Sequence, residues 1–374
     1  MKMDYETIRK LEQKFYSNTF GRLPLALERG EGMYLFDFGG RRYLDMFSGI
    51  AVNCLGHAHP AVLEAIKRQS GKLMHVSNWY YTLPQVELAQ MLTKLTGMEK
   101  AFFTNSGTEA VEAAIKLVRA RTGKKQIIAM KGAFHGRSLG ALSLTWESKY
   151  RKPFEPLIPG MRFAKYNDLD SLKNNISEDT AAVILEPVLG EAGVIIPDAD
   201  YLKAVRELTE EKNILLIVDE VQTGFGRTGV LFAYQKSGIT PDILCLAKGL
   251  GSGFPIGAML SSGVDFKPGE HGGTFIGNPL ACEVAKAVIK TIIEDNLVGN
   301  SEQIGSYLIE KLKDGGFDVW GRGLMIGVGV PNGEKKVLSL IDKGVLSIHS
   351  GNTVRILPPL IIGKKHADEL LSLF

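Results

Sequence analysis

The sequence predicts an α/β fold, in which a mixed, mostly parallel sheet flanked by helices is joined to a smaller α/β domain. Apolar runs of strand length, such as 127–130 and 214–218, alternate with amphipathic segments of helical length. Strands of continuous apolar residues are typical of parallel sheets that helices cover on both faces. The chain of 374 residues, 45% hydrophobic and 23% charged, is long enough for one large and one smaller domain.

Composition argues against several classes of partner. The net charge of +3 is small, which disfavours nucleic acid or an anionic membrane. No apolar run reaches membrane-spanning length, and the charged N-terminus lacks the apolar core of a signal peptide. The three cysteines, Cys54, Cys245 and Cys282, lie far apart and predict neither disulfides nor a zinc site. We therefore expect a cytoplasmic protein without a metal.

The first part of the chain predicts a helix followed by a small antiparallel region. The helix is expected at 4–16, and the short strands at 25–27, 33–36 and 43–47. A second helix is expected to begin at Pro60 and to end near Ser70. His57 and His59 would face opposite sides of a strand, which disfavours a metal site.

The segment Ser106-Gly107-Thr108 lies between a short strand and a long amphipathic helix. Ser106 with Glu109 fits a capping box, so the helix is expected to begin here. Free N–H groups, the positive end of the helix dipole and two hydroxyl groups would meet at this point, which suits an anion such as phosphate. A capped helix without a ligand fits the same residues. The segment matches neither a Walker A motif nor G-x-G-x-x-G, which disfavours a nucleotide.

The strand at 127–130 leads to Phe134 and Arg137. An aromatic ring between small residues just past a strand end can lie flat on a planar ligand. An arginine in the same place can bind a carboxylate through two hydrogen bonds. Without further context, Phe134 could equally belong to the core and Arg137 to the solvent-facing surface.

Two buried strands end in ionisable residues, Asp219 after 214–218 and Lys248 after 243–247. A carboxylate at the end of an apolar strand is costly unless a positive group meets it. Burial of a lysine disfavours its charged form, lowers its pKa and makes the amine able to form a Schiff base. On its own, Lys248 could instead leave the core for water.

These segments converge, because ligands of open α/β sheets bind outside the carboxyl ends of the strands. Four strand ends direct side chains at one crevice, in chain order Ser106 and Thr108, Phe134 and His135, Asp219 and Gln222, and Lys248. A phosphate site, a flat platform, a buried carboxylate and an activated lysine are what pyridoxal phosphate requires. The sequence therefore predicts a site for this cofactor.

The sequence also resembles the class III, fold-type-I pyridoxal-phosphate aminotransferases, and within them the acetylornithine aminotransferase group. Motifs along nearly the whole chain carry the resemblance: Phe20-Gly-Arg-Leu-Pro, Leu55-Gly-His-Ala-His-Pro, Asn105-Ser-Gly-Thr-Glu-Ala, Phe134-His-Gly-Arg, Glu186-Pro, Gly190-Glu-Ala-Gly, Asp219-Glu-Val-Gln-Thr-Gly, Ala247-Lys-Gly-Leu-Gly and Gly272-Gly-Thr-Phe-Ile-Gly-Asn-Pro. We expect a large cofactor-binding domain at 56–285 and a small domain at 286–374 that packs with 1–55.

The resemblance implies roles around the cofactor. Lys248 would hold it covalently, and Asp219 would pair with its pyridine nitrogen. Further contacts would come from Ser106, Gly107 and Thr108 at the phosphate, Val221 and Phe134 on the two faces of the ring, and Gln222 at the phenolic oxygen. Thr274 would reach the phosphate from the partner subunit, which implies a homodimer with shared active sites.

The resemblance also implies how the substrates bind. Arg355 would take the α-carboxylate of glutamate or 2-oxoglutarate, and Glu191 would cover this arginine when the other substrate binds. Arg137 would bind the carboxylate of an acylated ornithine. Related ornithine enzymes carry a tyrosine where Phe20 stands, which argues against free ornithine. The implied reaction moves the terminal amino group of N2-acetyl-L-ornithine to 2-oxoglutarate, in arginine biosynthesis.

Beyond Pro279, the pattern predicts the small domain. Helices are expected at 280–295 and 301–313, and strands interrupted by glycines at 319–329 and 345–357. His349 and Ser350 precede Arg355 and would lie either at the mouth of the same site or on the surface.

Other functions stay open at this point. Sibling aminotransferases act on succinylornithine, succinyldiaminopimelate, ornithine or 4-aminobutyrate. A glutamate-1-semialdehyde aminomutase needs no external oxo acid, so it has no evident use for an Arg355–Glu191 switch. Intact Lys248 and Asp219 argue against a non-catalytic binding protein of this fold. A nicotinamide dehydrogenase would need a glycine motif that the sequence lacks.

Overall fold

A computed structural model describes residues 3–374. Its strands are β1 (Leu27–Glu31), β2 (Tyr34–Asp37), β3 (Arg42–Asp45), β4 (Lys100–Thr104), β5 (Gln126–Met130), β6 (Met161–Ala164), β7 (Thr180–Leu185), β8 (Leu215–Asp219), β9 (Ile243–Leu246), β10 (Gly257–Ser261), β11 (Asp318–Arg322), β12 (Met325–Gly329), β13 (Val345–Leu346), β14 (Ile348–Ser350) and β15 (Thr353–Ile356). Its helices are α1 (Tyr5–Phe15), α2 (Ser48–Ala51), α3 (Pro60–Ser70), α4 (Leu83–Thr96), α5 (Gly107–Thr122), α6 (Leu139–Ser143), α7 (Ser148–Arg151), α8 (Leu169–Lys173), α9 (Tyr201–Glu211), α10 (Pro279–Glu294), α11 (Leu297–Asp314), α12 (Gly333–Asp342) and α13 (Lys364–Leu371).

The central sheet has the strand order β4-β10-β9-β8-β7-β5-β6. Neighbouring strands from β9 to β6 are parallel, whereas β10 runs antiparallel to both β9 and β4. Every residue of β5, β7, β9 and β10 is buried, as expected for apolar strands covered on both faces. The predicted fold class, a mixed and mostly parallel sheet flanked by helices, is confirmed.

Helix α5 begins at the carboxyl end of β4 because its first turn is capped from two sides. The Ser106 hydroxyl oxygen accepts the N–H of Glu109 at 3.4 Å, and the Glu109 carboxylate accepts the N–H of Asn105 at 2.6 Å. In a capping box the glutamate would accept the N–H of Ser106 itself. Here Glu109 instead accepts the N–H of the preceding residue, Asn105. The helix ends at Gly123, where a φ of 70° gives the left-handed turn that glycine adopts without steric cost.

Two further sheets are built from the ends of the chain, with the orders β1-β2-β3-β13 and β11-β12-β15-β14. Strand β13 pairs in parallel with β3, which places Val345 opposite Leu44. The first strands of the chain and its C-terminal part thus share one sheet. The domain boundaries at 55 and 285 stay a prediction.

Several strand boundaries differ from the sequence prediction. The first strand is β1 at 27–31, not 25–27. The sequence missed it because its mostly exposed side chains form no apolar pattern, and only its pairing with β2 defines it as a strand. Residues 319–329 form two antiparallel strands joined at Gly323, whose φ is 53°. Residues 345–357 are likewise divided, into β13, β14 and β15. Gly323 and Gly351, both with a positive φ, lie in turns between these strands, whereas Gly321 and Gly327 lie within strands.

The histidines and cysteines singled out by the sequence have structural roles. The His57 imidazole lies 2.7 Å from the Asp45 carboxylate, and His59 caps helix α3. Cys54, Cys245 and Cys282 are buried and unpaired. Across residues 3–374, no group of acidic, histidine or cysteine side chains is placed to hold a metal ion. Within the same residues, no helix is both long and apolar enough for a membrane span.

Candidate active site

The carboxyl ends of the parallel strands open into a cavity of about 450 Å³. Most of the predicted site residues line it, namely Ser106, Gly107, Thr108, Phe134, Arg137, Glu191, Asp219, Val221, Gln222 and Lys248. The cavity also takes in side chains for which the sequence predicted no role, among them Val52, Asn105 and Glu186, and it includes His135, which the sequence directed at the crevice. The strand ends that the sequence directs at one crevice therefore do meet.

Lys248 follows strand β9 in a left-handed backbone conformation, with a φ of 43°. This conformation is strained for a lysine, by on the order of 1–3 kcal/mol, and such strain persists only where the surrounding structure enforces it. Burial lowers the pKa of the Lys248 amine, and the positive charge of Arg355 adds to the effect, whereas Asp219, Glu186 and Glu191 oppose it. The neutral, nucleophilic form of the amine is thereby favoured.

Asp219 ends strand β8, directly beside β9, and is paired in register with Cys245. One carboxylate oxygen lies 2.7 Å from Nδ1 of His135, and the other accepts the N–H of Val221 at 3.0 Å. Since a carboxylate only accepts, Nδ1 of His135 carries the proton. Nε2 of this buried histidine has no partner within residues 3–374. His135 is thus the group that meets the buried acid, a pairing the sequence reasoning did not identify.

Glu186 is a second buried acid at a strand end, directly after β7. Its two oxygens accept the N–H groups of Phe134 at 2.9 Å and Gly190 at 3.2 Å. Burial raises the pKa of the Glu186 carboxyl to about 7, with His135 acting against this shift and Asp219 with it. The signal that singled out Asp219, an acid after an apolar strand, applies equally to Glu186.

The first turn of α5 forms an open cradle beside the cavity. A side chain on Gly107 would come within 2.6 Å of Val221, so only glycine allows Val221 this close to the helix start. A side chain on Gly136 would likewise come within 2.2 Å of the Thr108 hydroxyl oxygen. That oxygen lies 2.6 Å from the hydroxyl oxygen of Ser138. Hydroxyl groups and a helix N-terminus form a donor set suited to phosphate.

Arg355 comes from strand β15 and is completely buried. Its Nη1 donates to the Glu191 carboxylate at 2.9 Å, and its Nη2 donates to the side-chain oxygen of Gln222 at 3.1 Å. The guanidinium charge is therefore neutralised by one carboxylate that lies partly exposed at the cavity. The sequence links these residues only through the resemblance, since no local pattern predicts their contact.

The backbone around Glu191 is attached to the C-terminal sheet. The Ser350 hydroxyl donates to the carbonyl oxygen of Glu191 at 2.5 Å, and the Trp320 indole donates to that of Gly193 at 3.0 Å. Ser350 thus lies at the mouth of the site, one of the two places the sequence left open. The backbone from Glu191 to Gly193 is therefore fixed to the C-terminal sheet at two points.

Two predicted site residues lie apart from this cavity. Phe20 is 60% exposed and packs under the guanidinium of Arg22, at 5.0 Å. Thr274 is exposed in the segment between β10 and α10. Neither lines the cavity. The role of Phe20 near the substrate and that of Thr274 at the phosphate of a partner subunit therefore stay predictions.

The family model for class-III aminotransferases matches residues 15–374. The acetylornithine aminotransferase of Methanopyrus kandleri is 46% identical over 97% of this chain and 97% of its own length. That of Clostridium acetobutylicum is 47% identical over 97% of this chain and 99% of its own.

Solved structures agree with these sequence matches. The ornithine aminotransferase of Toxoplasma gondii superposes with a TM-score of 0.95 at 29% identity, covering 99% of this chain and 94% of that one. The acetylornithine aminotransferase of Elizabethkingia anophelis gives a TM-score of 0.88 at 32% identity, covering 99% and 98%. The likeness extends over the full length in both sequence and fold, and the chain belongs to the class-III aminotransferase family.

Proposed function

We propose that this enzyme transfers the terminal amino group of N2-acetyl-L-ornithine to 2-oxoglutarate, giving N-acetyl-L-glutamate 5-semialdehyde and L-glutamate, in arginine biosynthesis. The observation that carries the proposal is the Arg355–Glu191 pair, at 2.9 Å. One substrate of this reaction brings an α-carboxylate to the reacting end, and the other brings only a terminal amine. An arginine paired with one acid suits both substrates, because it binds the α-carboxylate when the acid moves away and is neutralised by the acid when the terminal amine binds. The acyl group is supported by the names of the relatives, which are acetylornithine aminotransferases.

The cofactor of this reaction is pyridoxal phosphate, and the residues of the cavity fit it. The cradle at Gly107 and Thr108 suits the phosphate, and Asp219, bonded to His135, lines the same cavity and would pair with the ring nitrogen. Phe134 and Val221 supply apolar surfaces for a flat ring. When bound, the cofactor supplies the electron sink that lets a proton leave the amine-bearing carbon.

Lys248 and Asp219 have separate roles in this chemistry, proton transfer and the stabilisation of a positive charge. Burial lowers the pKa of the Lys248 amine and so favours its neutral form, whose Nζ can take up a proton and return it at a neighbouring atom. Asp219 would pair with the protonated ring nitrogen of the bound cofactor, as the resemblance implies. Its bond to His135 stops the carboxylate from rotating away.

Replacing Glu191 by glutamine is expected to shift the balance between the two half-reactions by roughly 10- to 100-fold in kcat/KM. The amide oxygen of glutamine can still accept a hydrogen bond from Arg355, but it carries no charge, so the guanidinium group loses its counter-ion. Hydrogen bonds that involve charged groups contribute on the order of 1.5–3 kcal/mol, which sets the size of the expected effect. Glutamate and 2-oxoglutarate then bind without displacing an acid, while the terminal amine meets an unscreened cation. The measurement is kcat/KM for each half-reaction separately.

A matched control for this prediction is Glu178→Gln, which changes an exposed glutamate outside the cavity. It is expected to leave the ratio of the two half-reactions unchanged. An equal loss in both half-reactions of Glu191→Gln would show that this residue does not distinguish the substrates.

The proposed reaction is tested by turnover of the purified enzyme with its cofactor. We expect the largest kcat/KM for N2-acetylornithine among the amines of this group, and strict dependence on 2-oxoglutarate. A preference for free ornithine, succinylornithine, succinyldiaminopimelate or 4-aminobutyrate would replace the proposed substrate. Turnover without any added oxo acid would point to an aminomutase.

We further propose a homodimer in which each subunit completes the site of the other. Large apolar side chains are exposed along residues 73–86, with Trp79 at 90% and Tyr80 at 69%. This patch continues to Phe275, whose ring lies 5.2 Å from that of His75, so the segment that carries Thr274 lies against it. An exposed apolar patch of this kind marks an interface, and a second copy of the chain would cover it.

Light scattering of the enzyme is expected to give about twice the chain mass of 40.9 kDa. A monomer with full activity would refute the shared site and the role of Thr274. We place the enzyme in the cytoplasm, which its unpaired cysteines support.

A further inference from the structure

Arg137 presents its guanidinium group to aromatic rings and not to a hydrogen-bond acceptor of the described chain. It is exposed at the cavity, and within residues 3–374 it forms neither an ion pair nor a side-chain hydrogen bond. Its Cζ atom lies 3.6 Å from the centre of the Tyr150 ring and 5.6 Å from that of Phe134. The cation therefore rests on the face of one aromatic ring.

This contact leaves the hydrogen-bonding edge of the arginine free. A guanidinium group is planar, with all its N–H groups in the plane, whereas an aromatic ring attracts it through its face. A carboxylate approaches in the plane and accepts two parallel N–H bonds. Tyr150 and a substrate carboxylate can thus hold Arg137 at the same time.

Tyr150 is itself held in place. It lies in the short helix α7, where its N–H donates to the carbonyl oxygen of Glu147 at 3.0 Å. The segment is attached to the end of β5, since the N–H of Trp146 donates to the carbonyl oxygen of Ala133 at 2.8 Å. The ring of Phe134 meets that of Tyr150 edge-on, at 6.1 Å and 87°. The support of Arg137 is therefore fixed relative to the apolar platform of the cavity.

We propose that Tyr150 is a positioning residue that orients Arg137 to receive a carboxylate remote from the reacting amine. This inference rests on the proposed function and adds to it the residue that positions Arg137 for the substrate carboxylate. Both partners of the reaction meet the requirement. Acetylornithine carries its α-carboxylate far from its terminal amine, and glutamate carries its side-chain carboxylate far from its α-amine.

The test compares two amines that differ only in the carboxylate, N2-acetylornithine and N-acetylputrescine, in the variants Tyr150→Leu and Tyr150→Phe. A contact between a cation and an aromatic face contributes on the order of 0.5–2 kcal/mol, so Tyr150→Leu is expected to raise KM for acetylornithine roughly three- to tenfold. Its kcat should stay nearly unchanged, as should kcat/KM for N-acetylputrescine. Tyr150→Phe keeps the aromatic face and should behave as the wild type.

Each other outcome decides against the inference. Equal losses on both amines would show a structural role only, and a loss in Tyr150→Phe as large as in Tyr150→Leu would assign the effect to the hydroxyl group. A wild-type enzyme that does not prefer the carboxylated amine would also overturn it. The proposed function is tested separately, by wild-type turnover of acetylornithine. If the wild type prefers ornithine, the same comparison is made with ornithine and putrescine.

Discussion

Replacing Lys248 by alanine is expected to lower kcat for transamination by roughly 10⁴-fold or more. Lys248 is the one lysine among the described residues that line the cavity, so no neighbouring amine can replace it. Its backbone is left-handed, with a φ of 43°, and alanine is no bulkier at Cβ than lysine, so the substitution adds no steric clash. The variant is therefore expected to fold. The measurement is kcat with saturating acetylornithine, 2-oxoglutarate and cofactor.

Lys248→Arg is the control that separates charge from proton transfer. It keeps a long cationic side chain, but a guanidinium group does not lose its proton under these conditions. We expect this variant to be as inactive as Lys248→Ala. If either variant turned over within tenfold of the wild type, the role of Lys248 would be wrong.

Replacing Asp219 by asparagine is expected to lower kcat by on the order of 10²–10³-fold, as when a preorganised charged or polar group is removed from other active sites. The amide has nearly the same shape, and its oxygen can keep the bond from the N–H of Val221. The negative charge is lost, so nothing favours a protonated ring nitrogen. The amide can also meet His135 only if that imidazole changes its protonated nitrogen.

Asp219→Glu is the matched control, because it keeps the charge and displaces it by one methylene group. We expect an activity between that of Asp219→Asn and the wild type. Circular dichroism shows whether each variant has folded, and cofactor absorbance shows whether it still binds. An asparagine variant within threefold of the wild-type kcat would exclude an electrostatic role for Asp219.

Much of the central sheet can be predicted from sequence because its strands are continuous apolar runs. β5, β7 and β9 are buried on both faces, and a buried strand tolerates few polar residues, so the pattern marks their ends closely. The first strand, β1, could not be predicted from such a pattern. It lies at a sheet edge with exposed charged side chains, and its strand conformation depends on pairing with β2.

Some contacts of the candidate site could likewise be predicted from the sequence, and others could not. Asp219 and Lys248 could be placed together because parallel neighbours end at the same edge of a sheet. Bonds between distant segments leave no periodic signal, which is why His135 was not identified as the partner of Asp219. The contact of Arg355 with Glu191 likewise depends on how the C-terminal sheet packs against the cavity. The catalytic roles assigned from the resemblance remain predictions that the variants above test.

The pairing of β13 with β3 has a consequence for the order in which the protein is made. The ribosome synthesises β3 roughly 300 residues before Val345 and Leu346 exist to pair with it. Throughout that interval the growing chain carries an open sheet edge, the kind of surface on which unfinished chains associate. The N-terminal sheet can therefore be completed only after residues 345 and 346 have been made, and a chain cut short before residue 345 would keep that edge open permanently.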